Sequence, residues 1–220
     1  MKAVKGKRAT ARVNAGVRVE RRLSYHRGNL RELLVARGIE IMESQGLAAL
    51  SIRGVARDLG VSPTAPLHHF PSTAAYLAAI ATQGFRMLYD KRIEALGKQR
   101  AAAKRLLSVM LAHLEFAVDH SALFQVMYGP DIPNKTLFPE LERAATLSYG
   151  VLEACVGDYL KEHKVSLSRA HPAALAAWTA CHGLATIMVD RRNAWDIIRK
   201  DPIKIGREVF AIFIAGLYHA

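Results

Sequence analysis

The sequence predicts an all-α protein: an N-terminal three-helix head containing a helix-turn-helix, joined to a larger helical domain. Two observations carry the fold class. Apolar residues recur at i, i+3, i+4 and i+7 along most of the 220 residues, the period of helices that bury one face. Ser, Asp and Pro stand where these periods begin, and Gly where they end. A third observation sets the organisation. Residues 1–29 hold nine Lys or Arg against the single acid Glu20, so most of the chain's net charge of +12 lies there. The predicted division is a basic arm at 1–24, the head at 25–71 and a helical domain at 72–220.

The first helix is expected from Asn29, a cap, to about Ser44, with Gly46 ending it and Leu30, Leu33, Leu34, Ile41 and Met42 inward. Leu47 and Leu50 bridge to Ser51, an N-cap whose hydroxyl accepts from an orphan N–H one turn on. Ile52, Val55, Ala56 and Leu59 then make one buried stripe, and Gly60 supplies the left-handed residue that ends it. Val61 fills the corner, Ser62 caps the next helix and Pro63 takes its first position. Pro66, near the fourth position, removes the first intrahelical bond and crowds the Ser62 carbonyl, so an irregular start is expected. Two short helices at this spacing form a helix-turn-helix whose second member enters the DNA major groove. The spacing alone is equally that of a packing corner.

From Ser72, itself a cap, the body reads as successive helices. One carries Tyr76, Leu77, Ile80, Phe85, Met87 and Leu88 to about Leu96. The next spans about Ala101 to His120, with Leu106, Leu107, Met110, Leu111, Leu114 and Val118 inward. Ser121 caps a short piece ending at Gly129-Pro130, and a loop with three prolines follows. A long helix runs from about Pro139 to His163 with Leu141, Leu147, Leu152, Val156 and Tyr159. Another, begun near Pro172, places Leu175, Trp178, Cys181, His182, Ala185 and Met188 on one face. Asp201 and Pro202 open the last, whose stripe is Ile205, Val209, Ile212, Phe213, Gly216 and Leu217.

Tyr25-His26-Arg27-Gly28-Asn29-Leu30 precedes the first helix, and Phe70-Pro71-Ser72 leads from the motif into the next. Over residues 25–80 this arrangement resembles the tetracycline-repressor (TetR) family of one-component regulators. Trp178-x-x-x-His182-Gly183, with Ala65-Pro66 and His69-Phe70-Pro71, is similar to the branch with a Trp-His-Gly (WHG) C-terminal domain. The resemblance implies a homodimer formed through the last two helices, a pseudo-palindromic double-stranded DNA operator and a small-molecule effector that relieves repression. Where the family often has Tyr this chain has Leu67, and where it often has Lys it has Thr73. Both departures remove phosphate contacts, which a basic arm can offset.

Side-chain chemistry names candidates. Ser51 and Arg53, at a helix N-terminus, suit a backbone phosphate. Ser62, Pro63, Thr64, Leu67 and His68 line the outer side of the second helix, Thr64 able to bond a base and Leu67 limited to apolar contact. Arg27, His69 and Thr73 complete the DNA-facing set, and Phe70 is core. The arm either tracks phosphates, making affinity fall steeply with salt, or is a solvated tail. For an effector site the candidates are Met110, Leu114, Phe124, Met127, Tyr128, Tyr149, Trp178 and His182: apolar walls with polar tips, suited to a largely hydrophobic molecule. Each also reads as ordinary core.

Other classes are weaker. No Gly-rich phosphate loop, nucleophile elbow or paired carboxylates mark an enzyme, and no residue is assigned as catalytic or cofactor-binding. Adjacent His68 and His69 point about 100° apart on a helix, and His113, Glu115 and His120 lack ligand spacing, so no metal site is expected. Two cysteines, Cys155 and Cys181, suit a reducing cytoplasm. The start lacks a signal-type apolar stretch, and no uninterrupted apolar run reaches the length that spans a bilayer. A membrane or partner-binding role for the arm is disfavoured because it has no apolar stripe.

Overall fold

The computed structural model describes residues 29–97, 99–190 and 201–219. The predicted arm and Arg27 lie outside the described residues. Those residues form eight α-helices and no strand: α1 Leu30–Gln45, α2 Ile52–Asp58, α3 Thr73–Leu96, α4 Ala102–Asp119, α5 Ser121–Tyr128, α6 Pro139–Glu162, α7 Ala170–Val189 and α8 Pro202–His219.

Local signals account for several helix ends. Ser51 and Ser72 Oγ accept from Gly54 and Ala75 N–H, and Asp201 caps α8 through Lys204 N–H at 2.9 Å. Gly60, at φ 70°, closes α2 in a Schellman motif, with Val61 N–H donating to Ala56 O and Gly60 N–H to Arg57 O, both at 3.0 Å. Lys164 closes α6 with the same pair of bonds, but as a non-glycine at φ 57°.

Distant carboxylates take the place of a local cap elsewhere. Glu162 accepts from Ala102 N–H at the start of α4, and Glu43 of α1 from Leu123 N–H in the first turn of α5. Asn29 occupies the cap position of α1 without a side-chain bond, and Ser121 is the first residue of α5 rather than its cap.

The second element of the helix-turn-helix is a 3₁₀ turn, Ala65–His68, not an α-helix opened by Pro63. Pro63 sits in the preceding turn. Pro66 is buried near the start of the 3₁₀ turn, where it has no N–H for an α-helical bond. The turn closes by i→i+3 bonds instead: Ala65 N–H to Ser62 O, Leu67 N–H to Thr64 O and His69 N–H to Pro66 O.

Head and body meet along α3. Tyr76 Oη donates to Leu34 O at 2.6 Å, and the Phe70 ring lies 5.0 Å from the Tyr76 ring. Gly38 makes this possible, because a Cβ there would overlap Tyr76 Oη. Arg31 covers Phe70 and pairs with Glu140 of α6 at 3.3 Å.

In the body, α4 is central and contacts α3, α5, α6, α7 and α8. Gly206 lets α8 approach it closely, since a Cβ there would overlap Leu114 Cδ2. The inward stripes differ from expectation at single positions. Val118, Leu147 and Leu175 are exposed, and the buried stripe of α7 is Ala174, Ala177, Cys181 and Ala185. The apolar residues of α8 divide between two faces: Gly206, Phe210, Ile214 and Leu217 are buried, whereas Val209, Ile212 and Gly216 face outward. Among the described residues one stretch, Leu167–Val189, is long and apolar enough to cross a membrane; here it packs against α4 and α6.

Candidate functional site

The surface of the head is built from α2, the glycine corner and the 3₁₀ turn. Ser51, Arg53, Ser62, Pro63, Thr64, Leu67, His68, His69 and Thr73 are all exposed. Leu67 is 59% exposed although it is a core-type residue, and exposed His68 and His69 follow it. Ser62 and Thr64 are tied together at 3.2 Å, and Ser62 Oγ also accepts from Ala65 N–H. Phe70 is buried, as expected. On the rim Arg37 joins α1 to α2 through Asp58 at 2.9 Å, an exposed pair of small energetic weight.

The expected effector residues separate into two groups. Met110, Leu114 and Met127 are wholly buried: Leu114 packs on Gly206, and Met127 on Gly84 of α3. Phe124, Tyr128, Trp178 and His182 form an aromatic cluster. Trp178 stacks on His182 at 5.0 Å with ring planes 6° apart, one helical turn away, and Tyr128 lies 4.5 Å from His182 and 4.8 Å from Phe124. Tyr149 joins them across a hollow of about 300 Å³, lined also by Phe85, Arg92 and Ser148 and by Tyr128 and Trp178. A second hollow of about 450 Å³ shares Tyr128 and includes Phe124, His182 and Pro130. Grooves of about 490 and 630 Å³ run between α1 and α3 and between the head, the first turns of α5 and the end of α7. They are larger, but none of the expected effector residues lines them, and charged side chains such as Arg31, Glu32 and Arg86 edge the first.

Two residues of this centre were not among the sequence candidates. Arg92, 2% exposed, donates from Nη1 to the carbonyl of Ser148 and to its Oγ at 3.1 Å. Its Nη2 donates to His113 Nδ1 at 3.0 Å. The signal for both was periodicity: Arg92 follows Phe85 and Leu88 on one stripe, and His113 lies between Met110 and Leu114.

Burial, then the neighbouring Arg92 and His182, hold His113 well below the ordinary imidazole value, so it is neutral. Burial lowers His182 as well, helped by Lys135. Burial pushes Tyr128 and Cys181 each up to about 12, which leaves the Cys181 thiol inert. Lys135 donates to Met127 O at 2.7 Å near the end of α5, a favourable place for a cation. Among the described residues no three His, Cys, Asp or Glu side chains gather as a metal site would need.

Residues 106–202 match the family model described as the tetracyclin repressor-like C-terminal domain. A solved structure of a regulator of the TetR family, PfmR from Thermus thermophilus, superposes with a TM-score of 0.61 at 16% identity, covering 83% of this chain and 97% of that one. The fold is that of the TetR-family regulators. BioQ, solved with its double-stranded DNA operator, shares the TetR fold with a TM-score of 0.58 at 17% identity, over 84% of this chain and 98% of BioQ. A protein of unknown function from Rhodococcus sp. RHA1 is similar with a TM-score of 0.73 at 28% identity, over 87% and 97% of the two chains. No match was found among curated proteins.

Proposed function

We propose that this chain is a TetR-family transcriptional regulator, cytoplasmic and not an enzyme. In this reading it binds a pseudo-palindromic operator as a homodimer and is released by a small, largely hydrophobic effector. The exposed tip of the head carries the reading: Leu67, His68 and His69 project from a fixed 3₁₀ turn where chain packing gives an exposed leucine no role. In a twofold pair the two tips would meet successive major grooves about 34 Å apart. Arg53 and Thr73 would hold phosphate, Thr64 and Leu67 base edges, and the basic arm the flanking backbone.

The outward faces of α7 and α8 support the dimer. Ile212 is 75% exposed and Leu175 49%, and a Cβ on Gly183 or Gly216 would meet nothing within 4 Å. Burying one such side chain against a partner's helix contributes roughly 2 kcal/mol. The Trp178-His182-Gly183 spelling supports the WHG branch, with Trp178 and His182 at the aromatic cluster and Gly183 on the outward face.

Release needs an effector that favours a form with the heads wrongly spaced. A differential of about 3 kcal/mol lowers operator affinity on the order of a hundredfold.

The test is selection of binding sequences from a random duplex pool, followed by anisotropy titration at several salt concentrations. A recovered inverted repeat, bound by a dimer with a steep salt slope, is expected, and Leu67→Ala with His68→Ala should relax its selectivity. Binding with no sequence preference, or by single subunits, would overturn the reading.

A further inference from the structure

Arg92 is the one buried Lys or Arg among the described residues, and no described carboxylate pairs with it. Among the described residues its charge is met only by neutral groups: the Ser148 carbonyl and hydroxyl, and His113 Nδ1. Desolvating a guanidinium without a counter-charge is strongly unfavourable, and tying three helices together through hydrogen bonds does not require a full charge. Nε of Arg92 is buried with no partner among the described residues. His113 accepts on Nδ1 and, being neutral, carries its hydrogen on Nε2, which is also buried and unpartnered. Two donors on this hydrogen-bonded pair therefore lack acceptors among the described residues, and of the pair Arg92 is part of the wall of the 300 Å³ hollow.

We propose that this hollow binds a compact organic anion, an aromatic or medium-chain aliphatic carboxylate, with its acid group on Arg92 and its apolar part between Phe85, Tyr128, Tyr149 and Trp178. A carboxylate has the planar pair of acceptors that a guanidinium fork fits. The volume is at the small end for ligand pockets, which suits a single ring or a short chain. The assignment names the chemistry of the effector proposed above and rests on that reading, but it is tested without DNA.

Full-length protein is titrated by calorimetry and thermal shift with matched pairs: benzoate and benzamide, 3-phenylpropionate and its amide, octanoate and its amide. At least one acid should bind, at least about tenfold more tightly than its amide, the margin of one charge-assisted bond. Arg92→Met should erase the preference. Should that variant fail to fold, the wild-type pairs decide alone, and Arg92→Lys, which keeps the charge and loses the fork, should weaken the acid more than the amide. Failure of every acid to bind, equal binding within each pair, or a preference that survives Arg92→Met overturns the proposal. A protein that selects a DNA site yet ignores these acids loses only this assignment, whereas one that binds acids and no DNA loses the regulator reading.

Discussion

In the head, polar contacts close on themselves: buried Tyr76 Oη finds Leu34 O, and exposed Ser62 and Ser51 cap the turns they begin. In the body some close in the same way, as Tyr159 Oη does on Ile214 O and Thr82 Oγ1 on Ala78 O, and others are left open. The three buried side-chain polar atoms without a partner among the described residues, on Arg92, His113 and His182, all lie around the aromatic cluster. A satisfied polar group fixes one geometry, and an unsatisfied one awaits completion. The head is thus organised to present a constant surface, and the body centre to change when something supplies acceptors.

The sharpest break of this contrast is Gly38→Val. The added side chain must displace Tyr76 Oη and its bond to Leu34, at a cost of about 3 kcal/mol in urea unfolding, with loss of DNA binding. Second comes Arg92→Met with His113→Leu. If the body centre is held in a costly, incomplete state, this apolar pair should stabilise the ligand-free protein by about 2 kcal/mol; a loss of stability would make it a structural tie like Tyr76. Lys164→Gly should stabilise by about 1 kcal/mol in the same assay, calibrating a purely local backbone effect within the body.

The mildest effect, over the narrow interval from about pH 7 to 6, is titration. The folded state holds His113 and His182 below the ordinary imidazole value of 6.5, so the unfolded chain takes up more protons. Their neutral burial contributes stability above about pH 6.5 that is lost as pH falls below it. Melting temperature should drop on acidification, and His113→Leu should flatten the slope.

Signals confined to neighbouring residues were legible in the sequence. Ser51, Gly60, Ser72 and Asp201 act within one turn of themselves, so their types sufficed. Pro66 foretold irregularity but not its form, because whether a short proline-containing segment closes as α or 3₁₀ depends on what covers it, and here Pro66 is buried. Periodicity places Leu147 and Leu175 inward, yet both are exposed, because hydrophobicity alone does not say which face a neighbouring helix covers.

The aromatic residues of the cluster are among the sequence candidates, whereas Arg92 and His113 at its polar centre are not. Arg92 stands beside Asp90 and Lys91 in the sequence, and Lys91 faces out to Glu115 and Asp119. Only the arrival of Ser148 and His113 from distant helices encloses Arg92. Ligand spacing dismisses His113 as a metal residue, whereas its place between Met110 and Leu114 points to the core.

Helix α3 belongs to both regions. Tyr76, near its start, is bonded to Leu34 of the head, and Arg92, near its end, faces the hollow, about 24 Å along the axis at the rise of an α-helix. Between them there is no proline, and the midway Gly84 is wedged against the Met127 sulfur. The two residues are therefore the ends of one stiff rod: a tug on the guanidinium arrives at the Leu34 joint without an intervening elbow to absorb it.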